Sequence, residues 1–286
     1  MTRDRRPGPS VRTRVHEVRV DGTISREDRL ATEEPLEIRL AWPGAPARRV
    51  AVTMRTPGHD FELATGFLRA EGVLARADHL HRVAYCTDVD LTPEQEFNVV
   101  TVELSGPPLR EPPPRYAGLS AASSACGVCG TESIDDVLAV VASTAGTPAT
   151  DLAVDPAIVH LLPQRLRAAQ KVFDSTGGLH AAGLFDVAGD AVVVREDIGR
   201  HNAVDKVVGA RLLTGDTAPA PVLTVSGRIG FEIVQKAVAA GVGLLVAVGA
   251  PSSLAVDLAR RAGLCTVGFA APERFVVYTA PERLGV

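Results

Sequence analysis

Val222-Leu223-Thr224-Val225, Leu244-Leu245-Val246-Ala247-Val248 and Leu264-Cys265-Thr266-Val267 are three short apolar runs, and the segments between them, Phe231 to Ala240 and Leu254 to Ala262, carry apolar residues at helical spacing. Continuous apolar strands that alternate with helices predict a parallel sheet covered on both faces. Each run ends in a glycine-bearing loop. Ser226-Gly227-Arg228-Ile229-Gly230 follows the first and Gly249-Ala250-Pro251-Ser252-Ser253 the second. In open α/β sheets ligands settle beyond the carboxyl ends of strands, where helix N-termini and free backbone N–H groups favour anions.

Upstream, strands are expected near Ala181 to Asp186 and Ala191 to Arg195, with a helix starting near His201. The loop between them, Arg195-Glu196-Asp197-Ile198-Gly199-Arg200-His201-Asn202, has the same strand-to-helix character. Further helices are predicted near Ser133 to Ser143 and Pro156 to Phe173. The first part of the chain reads as mainly β. Alternation runs over Val11 to Val20, Leu36 to Leu40, Val50 to Met54, Arg82 to Cys86 and Phe97 to Leu104. One helix interrupts it: Thr56-Pro57-Gly58 makes a turn, and Phe61, Ala64, Phe67 and Leu68 recur at helical spacing until Gly72.

Ser105 to Ser124 is rich in proline and small residues, a composition that neither a helix nor a central strand tolerates. It opens directly into Cys126 and is read as both a functional mobile loop and a linker. Three parts follow: residues 1–115 as a small, mainly β (α+β) N-terminal domain, 116–130 as a mobile loop, and 131–286 as an α/β domain.

At 286 residues, 46% hydrophobic and 22% charged, the chain is expected to fold as an ordinary soluble protein. Its apolar runs fall short of the roughly 18 to 20 residues of a membrane-spanning helix, and the arginines at the start lead into no signal-peptide core, so a cytoplasmic location is expected. A net charge of -4 gives no general attraction to nucleic acid or to an anionic membrane. Four cysteines are too few for a disulfide framework.

Two of those cysteines stand in Ser124-Ala125-Cys126-Gly127-Val128-Cys129-Gly130, and three chemistries compete for them. A structural zinc site wants a second ligand pair, which neither Cys86 nor Cys265 supplies. A thioredoxin-like pair wants to follow a core strand directly, whereas this one follows a long loop. A sulfur relay needs a nucleophilic thiol on a tether that reaches a donor and then an acceptor, with the second cysteine able to release or share the sulfur. Residue types barely separate Cys126 from Cys129. Zinc-deaminase chemistry is excluded, since no His-x-Glu precedes the pair. Cys86 and Cys265 are read as buried structural thiols.

For the strand-end loops, glycine permits close approach, and Arg200, His201 and Arg228 add donors, which suits a pyrophosphate. Each loop alone is better explained as a plain strand-to-helix turn; three together, with their cationic residues, favour a phosphate-bearing ligand. Thr176-Gly177-Gly178-Leu179-His180 is a possible further wall of that site, and equally a glycine turn carrying a hydrogen-bonded histidine.

These segments together resemble the formate dehydrogenase accessory sulfurtransferase family, FdhD. The resemblance is carried by Glu33-Glu34-Pro35-Leu36, Thr56 to Asp60 with Gly66-Phe67-Leu68, the Cys126 and Cys129 pair, Thr176 to His180, Glu196 to Lys206, Ser226-Gly227-Arg228 and Gly249 to Ser253. It implies a homodimer with a small N-terminal domain and a cytidine-deaminase-like three-layer α/β domain lacking zinc. It implies sulfur taken from a cysteine desulfurase as a persulfide on Cys126 and passed to the molybdenum bis(molybdopterin guanine dinucleotide) cofactor of formate dehydrogenase. The family's cofactor-binding segment falls on Phe269-Ala270-Ala271-Pro272-Glu273-Arg274, beside Ser226, Gly227, Arg228, Arg200, His201 and Asn202. Family members commonly carry a basic residue at Ala271 and glycine at Pro272, so Arg274 is left as the cation of that segment. The rival implied role is a non-enzymatic chaperone that binds the same cofactor.

Overall fold

In the computed structural model, which describes residues 8–74, 76–86, 96–112, 152–216 and 220–286, the three apolar runs form β9 (Val222–Val225), β10 (Leu244–Ala247) and β11 (Cys265–Gly268). They pair in parallel, in register Leu244 with Val222 and with Cys265. Their side chains divide between two cores. Leu223, Val225, Leu245 and Ala247 meet α4 (Arg200–Thr214), α5 (Phe231–Ala239) and α6 (Ser253–Arg261) on one face. Val222, Leu244, Val246, Cys265 and Val267 meet α2 (Pro156–Ala168) on the other. Strands with both faces buried need apolar residues at every position, so their sequences do not alternate.

The sheet is mixed rather than parallel. Its order is β12-β11-β10-β9-β7-β8, with β7 (His180–Phe185), β8 (Ala191–Asp197) and β12 (Val276–Thr279) antiparallel to their neighbours. β7 and β8 are joined by a tight turn in which Asp186 accepts the N–H groups of Ala188 and Asp190, and a connection that short can only reverse the chain. β12 follows β11 without a crossover helix, with the same consequence. The expected helix from Pro156 to Phe173 breaks into α2 and α3 (Lys171–Thr176), where Glu196 accepts the N–H groups of Val172 and Phe173. The expected helix at 133–143 and the loop at 116–130 lie outside the described residues.

In the N-terminal part, β3 (Glu34–Trp42), β4 (Ala45–Arg55), β5 (Leu80–Tyr85) and β6 (Val99–Leu104) form a sheet of order β4-β3-β6-β5. This sheet packs on α1 (Asp60–Ala70) around Leu36, Ile38, Leu40, Leu63, Leu68 and Val102. Ahead of it, β1 (Ser10–Arg19) and β2 (Gly22–Ala31) form a separate two-stranded ribbon. β2 was not anticipated, because a strand exposed on both sides shows no hydropathic alternation.

The two parts meet where α1 crosses α4. The helices approach at Gly66 and Gly209, where an added Cβ would lie 1.9 Å from the Asp205 carbonyl oxygen and 1.8 Å from that of Glu62. Beside the crossing, Arg195 of β8 grips Glu62 of α1 with two hydrogen bonds of 2.6 and 2.7 Å. Burial opposes the charge on Glu62, but the hydrogen bonds from Arg195 and then His59 outweigh it and hold the carboxyl down to about 2. A carboxylate depressed on folding stabilises fully above its ordinary value of 4.5 and loses that contribution as pH falls through about 2. The urea midpoint is therefore expected to drop across that window, and to drop less in Glu62→Gln. Equal slopes in both proteins would remove the ion pair from the account of the seam.

Candidate functional site

The carboxyl ends of β9, β10 and β11, the start of β7 and the end of β8 all lie at one end of the sheet, because β7 runs opposite to the parallel strands and β8, antiparallel to β7, runs with them. The loops there are zipped to one another. Gly249 donates its N–H to the Gly227 carbonyl and Phe269 donates to that of Gly249, at 3.0 and 3.2 Å. Ser226 extends the pairing, donating to the Ala181 carbonyl while its Oγ accepts the Ala181 N–H. Glycine is required at position 249, since a Cβ there would stand 2.9 Å from the Arg228 Cα and from the Gly227 oxygen.

A cleft of about 980 Å3 opens at this end, between the loops and the second half of α2. Ser226, Ala270, Ala271 and Pro272 line it among the residues singled out from sequence, with Gly177, Gly178 and His180 from the preceding turn. Its size lies in the range of small-molecule and cofactor sites. Leu166, Leu179, Ile198 and Val248 contribute apolar surface.

The other candidates take other places. Phe269, at a left-handed φ of 52°, is exposed, and the Arg274 guanidinium stacks over its ring with Glu273 exposed alongside. Arg274 and Ala271 exchange backbone hydrogen bonds, and His160 of α2 makes a 3.1 Å hydrogen bond with the Ala271 oxygen, which ties that segment to the cleft wall. Arg228 sits in the zipped loop against Gly249. His201 pairs with Glu232 of α5 at 3.0 Å.

Asn202 points the other way, into the seam. Its Nδ2 donates to the Met54 carbonyl at 2.7 Å and to Asp197 at 3.0 Å, and its Oδ1 accepts from Thr53. Asp197 also accepts the Thr56 and Gly199 N–H groups and pairs with the buried Lys206 at 2.7 Å. The motif from Glu196 to Lys206 is thus divided. Asp197, Asn202 and Lys206 clasp the Thr56 loop, while Arg200 sits beside Gly227 at the sheet end.

Sequence reading missed the α2 and α3 wall of the cleft, which brings Gln164, Arg167, Gln170 and Phe173 to it. Their spacing of three, three and three was a helical-face signal. It went unread because polar and apolar residues mix along it.

Of the described cysteines, Cys265 is a poor nucleophile. Cys265 lies in the sheet core and burial pushes its thiol up to about 12. Cys86 is partly buried at the end of β5, with its Sγ 3.7 Å from the Arg39 guanidinium. Cys126 and Cys129 lie outside the described residues.

Relatives of this chain include proteins named sulfur carrier protein FdhD. That of Streptomyces avermitilis is 48% identical over 269 residues, covering 93% of each chain. That of Nocardia farcinica is 47% identical over 279 residues, covering 96% of this chain and 95% of its own. The Mycobacterium tuberculosis protein is 46% identical over 276 residues, covering 95% and 97%. A crystal structure from Desulfotalea psychrophila, named as a formate dehydrogenase accessory protein, superposes with a TM-score of 0.71 over 96% of this chain and 99% of that one. At 24% identity, that likeness shows the fold. The FdhD/NarQ family model matches residues 31–285, from the end of β2 to the last residues of the chain, and the protein belongs to the FdhD/NarQ family.

Proposed function

We propose that this protein is a sulfur carrier that takes sulfur from a cysteine desulfurase as a persulfide on Cys126 and passes it to the molybdenum bis(molybdopterin guanine dinucleotide) cofactor for formate dehydrogenase. One observation carries the reading: a Cys-x-x-Cys pair stands in a chain 46% to 48% identical, over nine-tenths of its length, to proteins named as sulfur carriers.

In the first step the Cys126 thiolate attacks the outer sulfur of the donor's persulfide. The sulfur–sulfur bond to the donor breaks, and the donor cysteine leaves as a thiolate with the bonding electrons. Attack by Cys129 on Cys126 Sγ would release the outer sulfur as hydrosulfide and leave a disulfide, which a cellular thiol reductant then resets.

The cofactor is substrate here. Its nucleotide is placed in the cleft, with Ser226, Gly227, Arg228 and Arg200 facing phosphate and the Phe269 to Arg274 segment closing one side. The fit is supported by a sheet end where Gly227 leaves room for close approach, and by the buried Arg200 Nε, which has no hydrogen-bond partner among the described residues.

A homodimer in the cytoplasm is part of the proposal. No helix among the described residues is long and apolar enough to cross a membrane. The β1–β2 ribbon carries Val11, Ile24 and Leu30 exposed on one face, and two strands alone are marginally stable in water. Covering that face with a second copy would relieve both conditions.

Incubation with an active desulfurase and cysteine is expected to add the mass of one sulfur atom to the peptide containing Cys126, reversibly by dithiothreitol and not in Cys126→Ala. A wild-type peptide that stays unmodified beside a working desulfurase would end the relay reading. Formate dehydrogenase maturation that survives Cys126→Ala would favour the chaperone.

A further inference from the structure

His180 is the first residue of β7 and follows the Gly177-Gly178 turn, which places its ring on the wall of the cleft. An ideal Cβ on Gly227 would lie 3.5 Å from His180 Nδ1 and 3.6 Å from Arg200 Cδ, so the imidazole and the arginine stem border the same glycine-made gap. Among the described residues the His180 ring has no hydrogen-bond partner, and neither has the buried Arg200 Nε. Buried or half-buried polar groups are normally paired, so two adjacent unpaired ones beside a glycine point to a group supplied from outside.

We infer that His180 is a ligand-contacting residue which hydrogen-bonds a phosphate oxygen of a nucleoside diphosphate, free or esterified, seated against Gly227 and Arg200. The inference rests on the reading of this cleft as the nucleotide site and adds to it the residue that senses the phosphate charge.

The charges around the ring support that role. Burial lowers the His180 pKa below its ordinary 6.5, the Arg200 and His201 cations lower it further, and Asp197 opposes them. Of the other elements, α2 brings Arg167 to the cleft, where it is held by Asp174, and Glu232 of α5 is paired with His201. The empty site thus holds an uncharged imidazole at neutral pH. A phosphate arriving beside it offsets the cations, raises the imidazole pKa and draws in a proton. The sign follows: affinity rises as pH falls from the bound-state pKa towards the free-state one.

Calorimetry on the full chain with GDP, in two buffers of different ionisation enthalpy, reads both affinity and proton uptake. The wild type is expected to take up a fraction of a proton, and to bind about threefold to tenfold more tightly at pH 6.5 than at pH 8, since one unit of pKa shift corresponds to tenfold. His180→Gln is expected to bind about fivefold more weakly, with neither proton uptake nor the pH dependence. Arg200→Gln is expected to weaken binding and move the pH dependence upward, because it removes a cation that presses on the ring. Inorganic pyrophosphate should reproduce the proton uptake, and guanosine should not. GDP bound by His180→Gln with wild-type affinity and the same proton uptake would overturn the inference and leave the site standing. A wild type that binds neither GDP nor pyrophosphate would overturn the site itself.

Discussion

Gly209→Ala is expected to cost about 3 kcal/mol or more of stability, read as a fall in the urea or thermal unfolding midpoint of the full chain. The added methyl would stand 1.8 Å from the Glu62 carbonyl oxygen and 2.8 Å from the Gly66 backbone nitrogen. Both are backbone atoms of a packed helix, so no change of rotamer relieves the overlap, and α1 has to move off α4. That movement would stretch the contacts flanking the crossing, among them the Arg195–Glu62 pair and the Asn202 hydrogen bond to Met54. Gly230→Ala is the control. Position 230 has nothing within 4 Å of an added Cβ and a φ of -90°, so its cost should stay within about 1 kcal/mol, the scale of a helix N-cap exchange. Similar midpoints for the two variants would mean that the helices are not held at this distance.

Lys206→Met is expected to cost about 3 to 5 kcal/mol, the range seen when one partner of a buried ion pair is removed. Lys206 is 1% exposed and Asp197 is fully buried. Lys206 Nζ lies 2.7 Å from the carboxylate and donates to the Thr56 and Glu196 carbonyls at 2.9 and 3.3 Å. Methionine keeps the length of the side chain and withdraws the charge and the donors. Asp197 would then remain buried without its cation, held by its N–H donors alone, and two carbonyls would lose a partner. Adding Asp197→Asn to Lys206→Met should recover part of the loss, because it removes the uncompensated charge. Additive losses in a double-mutant cycle followed by urea unfolding would mean that the two groups are not coupled. Because the pair ties the Thr56 loop to the start of α4, its loss is expected to loosen the attachment of the N-terminal part before it disturbs the six-stranded sheet.

These two sites show how a motif was readable as important and unreadable as to role. The loop from Arg195 to Asn202 is read as ligand-facing because it joins a strand to a helix and carries cations, and the overlapping run from Glu196 to Lys206 carries the family resemblance. Its helix does begin at the cleft end of the sheet, and Arg200 does stand beside Gly227. Asn202, Lys206 and Gly209, however, recur at helical spacing on a face that meets α1 and the Thr56 loop. Spacing identifies a face; it does not name the partner that will cover it.

Strands were legible where burial was uniform or alternated. β9 was read from Val222 to Val225 as observed, and β10 and β11 to within one residue at each end, because residues covered on both sides must all be apolar. β2 escaped because both of its faces meet water, and β12 because it is an edge strand that follows β11 with no helix between them, outside the strand–helix alternation that revealed the others. Strand direction was illegible for β7, β8 and β12, since hydropathy is the same in either sense and only the length of the connection restricts it. The α/β character, the position of the glycine loops at strand ends and the thiol pair therefore followed from local chemistry, which depends on neighbours in the chain. The mixed sheet, the α2 wall of the cleft, the seam at Gly66 and Gly209 and the meeting of His180 with Arg200 across Gly227 depend on residues far apart in the chain. They come together only when the chain packs.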